Sequence, residues 1–183
     1  DAVTISLCSA IGNIEATETE SYVGGLIGNF EGNTNRAGNN ISQCFSEGTV
    51  KASSLYGGGL IGSINYCYII NCYSKSEVSG RYYLGGLVGY MAVSNIEFSY
   101  AAGSILNGKS YWGGLVGNVD GSPPSFSTSL HSTNNGTNNY GVRVDDLKSG
   151  TNYTSCGWTF DTIWLIDSGI NGGYPYLKNN PPP

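Results

Sequence analysis

Apolar and small residues fall along this chain in two short phrases that keep one beat, with polar residues filling the intervals. The first is Tyr-x-Gly-Gly-Leu-[Ile/Val]-Gly, whose first glycine is Gly24, Gly58, Gly85 and Gly113, in steps of 34, 27 and 28 residues. The second is Ile-x-x-Cys-[Phe/Tyr]-[Ser/Ala]-x-Gly-x-[Ile/Val], fullest at Ile41, Cys44, Phe45, Ser46, Gly48 and Val50. It returns through Ile69, Cys72, Tyr73, Ser74 and Val78, then through Ile96, Ser99, Tyr100, Ala101, Gly103 and Ile105. Ile5, Cys8, Ala10, Gly12 and Ile14 fit the same frame, so the chain begins in mid-repeat, and Ser127 with Thr128 reads as a faded last copy. A period of this length predicts a solenoid, in which each coil buries its apolar face only against its neighbours. The offset from glycine pair to cysteine position is 14 residues in three repeats and 20 in the first. Its extra residues fall in the polar run Glu31 to Asn40, which reads as a loop pushed out of one coil.

Within a coil, the paired glycines suit positive φ or close backbone approach, Leu then faces the core, and the third glycine turns the chain again. Ile-x-x-Cys-Tyr starts a further strand. Two or three short strands per coil of 27 or 28 residues predict an all-β fold, a right-handed parallel β-helix (β-solenoid) of about five coils with a C-terminal cap. Its hand comes from the general rule for parallel crossovers. The Leu-x-x-Leu-x-Leu-x-x-Asn pattern of leucine-rich repeats is missing.

Composition agrees. Twenty-eight glycines against 11% charged residues disfavour helix, since glycine costs about 1 kcal/mol relative to alanine inside one. With 183 residues the chain is one domain with room for a core. Net charge is -5 and the eight Lys and Arg are scattered, so nothing builds a phosphate-neutralising stripe and nucleic acid is not an expected partner. No apolar run approaches the roughly 20 residues that span a bilayer.

Repeat equivalence puts Cys8, Cys44 and Cys72, with Ser99 and Ser127 after them, in one inward ladder with rungs about 4.8 Å apart. These thiols read as small buried hydrophobes. That spacing also admits a disulfide between adjacent rungs, whereas a metal site lacks any Cys-x-x-Cys and has one histidine to draw on. Cys67 and Cys156 lie off the ladder. Tyr22, Tyr56, Tyr83 and Tyr111 share one repeat position, and Phe45, Tyr73 and Tyr100 share another. Each row reads as a packing ladder or as an exposed strip for carbohydrate or protein contact. Tyr66, Tyr68, Tyr82 and Tyr90 lie off both rows and are the candidate binding residues.

Together the two phrases resemble the GLUG-motif repeat family, named for its Gly-Leu-hydrophobic-Gly core, over residues 1 to about 130. The resemblance implies a secreted or surface-anchored bacterial protein, adhesin-like, or a non-catalytic part of a large immunoglobulin A peptidase. Asn171-Gly172-Gly173-Tyr174-Pro175-Tyr176-Leu177, with Trp158, Thr159, Phe160, Asp161 and Trp164 before it, is similar to the segment that closes such arrays. Physically, the last coil presents open edges that something must cover. Trp158, Phe160, Ile163, Trp164, Ile166, Tyr174 and Leu177 supply the bulk, with Val142, Val144 and Leu147 at the entry. The expected organisation is repeats over 1–132, a capping segment over 133–177 and a Pro-rich linker starting at 178–183. The N-terminal half coil carries no comparable cap.

Catalytic constellations are sparse. There is no His-Glu-x-x-His, and His131 reads as a solvated residue in the Ser127 to Asn139 loop with no Gly-x-Ser-x-Gly beside it. The Gly57-Gly58-Gly59 run lacks the Gly-Lys-[Ser/Thr] ending of a phosphate loop. Glu47 aligns with Lys75 and Ala102, as a solvent-facing position would, and a carboxylate pair about 5 to 9.5 Å apart has no sequence signature here. Calcium spacing is missing around Asp120, Asp161 and Asp167. Asn40, Asn135 and Asn152 form glycosylation sequons. The expected function is therefore a non-catalytic, extracellular or cell-surface adhesin-like or scaffold module. Host or matrix glycan or protein, or copies of itself, are its expected partners, with no metal and no cofactor. Filament or stalk assembly through the open N-terminal edge is the alternative, and a polysaccharide-active enzyme is the least favoured.

Overall fold

A computed structural model describes every residue except 1, 19–20, 34–37, 54, 122, 133–136 and 139. The centre of the inserted stretch in the first repeat, the Asn135 sequon and part of the Ser127–Asn139 loop therefore lie outside the described residues. Strands dominate and are almost all parallel. Each repeat contributes to four sheets in turn. Sheet A is built from Thr4–Ser6, Asn40–Ser42, Tyr68–Ile70 and Asn95–Glu97. Sheet C takes Tyr22–Gly24, Tyr56–Gly58, Tyr82–Gly85 and Ser110–Gly113, and sheet D takes Ile27–Glu31, Ile61–Asn65, Val88–Ala92 and Val116–Asp120. Sheet B lies between A and C in chain order. It begins with Ser9–Ala16 and Phe45–Ala52, continues through Tyr73–Ser74 with Glu77–Gly80 and Tyr100–Ala101 with Ile105–Leu106, and ends with Leu130–His131 and Val142–Arg143.

Register follows the repeat. Ile41 pairs with Ile5 and Ile69, Tyr22 with Tyr56, and Ile61 with both Ile27 and Val88. Like side chains thus pile up inside: Leu60, Leu87 and Leu115 are fully buried, as are Ile41, Ile69 and Ile96 to within 1%. Burying each such aliphatic side chain contributes roughly 1.5–3 kcal/mol.

Four sheets rather than two or three strands per repeat corrects the sequence reading, and the reason is local. The Ile-x-x-Cys phrase does not run into one strand; it turns a corner from sheet A to sheet B. The residue before each Cys or Ser is left-handed, with φ of 55° at Leu7, 51° at Gln43, 53° at Asn71 and 46° at Phe98. Only Asn71 is a residue type that takes this conformation readily. The next side chain closes the corner: Cys8 Sγ donates to Ser6 O at 3.2 Å, Cys44 Sγ to Ser42 O at 3.2 Å, Cys72 Sγ to Ile70 O at 3.4 Å and Ser99 Oγ to Glu97 O at 2.8 Å. Cysteine and serine are interchangeable in this row because both donate from a small side chain. A second corner, from sheet D to sheet A, repeats the conformation at Tyr66 and Val93, with φ of 53° and 42°. There Cys67 stands level with Ser94, whose hydroxyl accepts the Cys67 N–H at 3.1 Å, so Cys67 belongs to a ladder of its own.

The final rung of the first ladder is Ser129, not Ser127. Leu130 N donates to Ser99 O and Val142 N to Ser129 O, and Ser99 N donates to Ser129 Oγ at 3.3 Å. Ser127 is exposed. The repeat slips by two residues here because the glycine-to-ladder spacing lengthens through the turn at Ser127–Thr128. His131 consequently takes the interior place held earlier by Ser46, Ser74 and Ala101. It is 2% exposed and packs against Gly114, which corrects its reading as a solvated loop residue.

Close approach, not positive φ, explains the glycine pair. A Cβ at Gly58 would overlap the Ile61 carbonyl oxygen, and one at Gly59 would overlap both the Gly86 carbonyl and the Ser74 hydroxyl.

The Trp-rich tail does not close over the interior of the last repeat, although Trp158 Nε1 donates to Thr128 O there at 2.6 Å. Phe126 and Tyr140, with ring centroids 5.4 Å apart, pack over the interior there. After the short helix Gly150–Ser155, the tail instead runs back along the outside of sheet B. It lays Tyr153, Trp158, Trp164 and Leu177 on Phe45, Tyr73 and Tyr100. Trp164 Nε1 donates to Asn71 Oδ1 at 3.1 Å and Tyr100 OH to Pro175 O at 2.6 Å. Val142 extends sheet B rather than opening a cap, while Ile166 stays 38% exposed. The expected linker is also held: Asn180 Nδ2 donates to Cys8 O at 3.2 Å and Gln43 O at 3.0 Å. The tail therefore touches every repeat along sheet B, from Cys8 in the first to Thr128 in the last. Among the described residues no helix is long and apolar enough to cross a membrane.

Candidate binding face

Strands of sheets C and D meet at the Gly-Gly-Leu turn, and the outward positions on either side of that turn build one continuous face. On the sheet C side, Tyr22, Tyr56, Tyr83 and Tyr111 stack with ring centroids 4.9, 4.9 and 5.0 Å apart and planes within 21° of parallel. Each such pair contributes about 0.5–1.5 kcal/mol beyond burial. The row is nonetheless a surface, since Tyr22 and Tyr111 are 46% and 49% exposed. Packing ladder and exposed strip are the same object here.

On the sheet D side two outward columns run parallel to the row. One is Asn29, Ser63, Tyr90 and Asn118; the other is Glu31, Asn65, Ala92 and Asp120. Phe30, Ile64, Met91 and Val119 alternate between them and point inward, as the pleat requires. Small residues at Ser63 and Ala92, flanked by larger ones, leave a cleft of about 300 Å³. Tyr22, Tyr56 and Tyr90 stand against it, and Glu31 and Asp120 lie at its rim. Tyr90 crosses the gap between columns. Its ring stands at 67° to Tyr56 and 87° to Tyr83. The faces of Tyr56 and Tyr83 are turned to each other, so Tyr90 meets their edges with its own face. Its hydroxyl donates to Asp120 Oδ2 at 3.1 Å, and burial together with that carboxylate pushes the phenol up to about 12. Asn65 Nδ2 donates to Glu31 Oε1 at 2.8 Å.

Of the four tyrosines singled out in the sequence, only Tyr90 joins this face. Tyr68 opens a sheet A strand and is 39% exposed; Tyr66 is the half-buried corner residue before it. Tyr82 lies in sheet C with the Arg81 guanidinium 5.6 Å from its ring centre. Three sheets thus divide them, and they make no common patch. The residues missed, Asn29, Ser63, Glu31, Asn65 and Asp120, stand five and seven positions after the first glycine of each pair. Extending the glycine phrase by two outward positions exposes them.

Lys75 Nζ bridges Glu47 Oε2 and Asn171 Oδ1, both at 3.0 Å, and so ties the tail to sheet B. All five cysteines are free thiols. Hydrogen bonding from the Cys72 thiol brings Cys44 down to about 7, while burial raises Cys72 and Cys8. Burial raises Cys67 to about 12. A second, apolar slot of about 240 Å³ lies between Trp158, Trp164, Phe98 and Ile70 where the tail crosses the corner.

Comparison with protein-family models, with curated proteins and with solved structures finds no match to this chain.

Proposed function

We propose that this chain is a right-handed parallel β-solenoid of GLUG-type repeats, serving as a non-catalytic adhesin-like or scaffold module of a secreted or cell-surface bacterial protein. In-register parallel pairing of like residues in all four sheets supports the solenoid reading, and the hand follows the crossover rule. The module works by contact. A rigid row of tyrosines and the polar cleft beside it meet glycan, matrix or another protein without having to be ordered on binding, which removes a cost that flexible surfaces incur. The observation that carries this reading is the exposed stack of Tyr22, Tyr56, Tyr83 and Tyr111 alongside the cleft.

A glycan and matrix-protein array tests it. Tyr56→Ala removes a wall of the cleft and is expected to weaken binding about tenfold or more, on the scale of an aromatic hot spot. Tyr68→Ala, on sheet A, is expected to leave binding unchanged. Equal binding by both variants and the parent sinks this face as the contact surface.

One observation favours a second reading, a stalk or filament subunit. Among the described residues Ser9–Ala16 pairs on one side only, and Val3, Leu7 and Ile11 are 46%, 50% and 55% exposed around it. Such an edge accepts another strand of the same kind.

A further inference from the structure

We propose that the cleft beside the tyrosine row selects protonated amines carried on a hydroxylated scaffold, that is, an amino-sugar polymer with free amino groups. This rests on the binding-face reading above and names its ligand class. The argument begins with what the cleft lacks. Among the described residues no Lys, Arg or His lines it, whereas Glu31 and Asp120 both do. Uronates, sulfated sugars and phosphates are therefore repelled, and cations are concentrated.

Hydrogen-bonding capacity points the same way. Ser63 is only 7% exposed and lines the cleft, yet its hydroxyl has no partner among the described residues. Asn65 spends its amide N–H on Glu31, which leaves Oδ1 buried without a donor. Glu31 and Asp120 each accept one bond, from Asn65 and Tyr90, and keep acceptor capacity to spare. The unmet need is for donors. An ammonium group offers three and demands none in return, while neighbouring sugar hydroxyls match Asn29 and Ser63.

Ring geometry argues against a neutral sugar held by face stacking alone. Tyr56 and Tyr83 turn both faces to their neighbours in the row, so along the strip they offer edges rather than platforms. What distinguishes this cleft from an ordinary aromatic sugar site is the surplus of acceptors and negative charge.

The experiment is calorimetric titration of the intact chain with two oligosaccharides of equal length, β-linked glucosamine oligomers with free amines and their N-acetylated counterparts, at low and at moderate salt. The free-amine series is expected to bind at least about tenfold tighter at low salt, with the preference shrinking as the Debye length falls to about 8 Å near physiological ionic strength. Glu31→Gln and Asp120→Asn are each expected to cost about three- to tenfold for the free-amine series only. Glu77→Gln, which removes the same charge from sheet B, is expected to cost nothing; an equal loss there overturns the proposal as non-specific polycation adsorption. Equal affinity for the two oligosaccharides overturns amine selection and leaves the binding face standing. If neither series binds and a Lys-rich peptide does, with the same dependence on Glu31 and Asp120, the amino-sugar assignment falls to a protein partner. Loss of all binding to glycans, matrix and peptide overturns the face itself. Circular dichroism melts of each variant separate unfolding from lost contacts.

Discussion

Two aromatic rows climb this molecule with the same rise and opposite fates. Phe45, Tyr73 and Tyr100 stack at 4.8 and 5.1 Å with planes 2° apart; Tyr22, Tyr56, Tyr83 and Tyr111 stack at 4.9 to 5.0 Å. The first row is at most 1% exposed and the second faces water at both ends. Strand pairing alone makes the stacks, because in-register parallel strands put like rings one above another. What decides between core and surface is a segment distant in sequence. Tyr153, Trp158, Trp164 and Tyr174 close over the first row, with Trp164 centred 6.1 Å from Tyr73 and 5.9 Å from Tyr100. A ladder is therefore a product of the repeat, and its use is a product of what covers it.

The largest test removes the cover. Trp164→Ala empties a site packed against Tyr73, Tyr100 and Trp158 and is expected to cost about 3–5 kcal/mol in urea unfolding. A loss below about 1 kcal/mol means that the tail is not what makes the first row a core. Alkaline pH probes the same contrast more gently. Burial holds the phenols of Tyr73, Tyr100 and Tyr153 above their ordinary range, with Glu47 adding to the effect at Tyr73 and neighbouring tyrosines at Tyr100. The folded chain thus keeps these protons more tightly than the unfolded one. Stability is whole below the ordinary phenol value of about 10 and falls above it, by about 1.4 kcal/mol per pH unit for each tyrosine that ionises only on unfolding. Denaturation curves from pH 8 to 11 check this, and a flat profile speaks against a sealed row. The smallest effect separates two neighbours within that row. Tyr73 OH is buried without a partner, whereas Tyr100 OH donates to Pro175 O and accepts from Asn171. Tyr73→Phe, which copies the residue at Phe45, is expected to be neutral or to stabilise by up to about 1 kcal/mol, and Tyr100→Phe to cost about 1–2 kcal/mol. Equal penalties in the two melts contradict this partition.

Much of the architecture was legible because the phrases are phase-locked. Gly24, Gly58, Gly85 and Gly113 announce backbones that cannot admit a Cβ, and Ile41, Ile69 and Ile96 announce the interior. The corners were not legible. Leu7, Gln43 and Phe98 adopt left-handed φ without any of the residue types that favour it, so nothing local marks the break between sheets A and B. The slip from Ser127 to Ser129 was hidden by a run of serines that offers several registers. Of the binding face, the tyrosine row could be read, but its exposure could not, since that depends on where the tail lies. Ser63 was invisible for a related reason: a serine after Gly-Leu-Ile-Gly has no significance until Tyr56 and Asn65 rise on either side of it.

Asn180 rests on carbonyls of Cys8 and Gln43, at the opposite end of the stack from where the tail departs. Such a return route fixes the order of assembly. During synthesis the early repeats emerge first, and Phe45 and Tyr73 stay wetted and adhesive until the residues from Tyr153 to Leu177, 80 or more positions later, have folded back across them. Non-local closure of this kind is slow, and the interval is when the chain is most prone to aggregate. The strap that seals the first aromatic row is thus also the closure made across the longest stretch of chain.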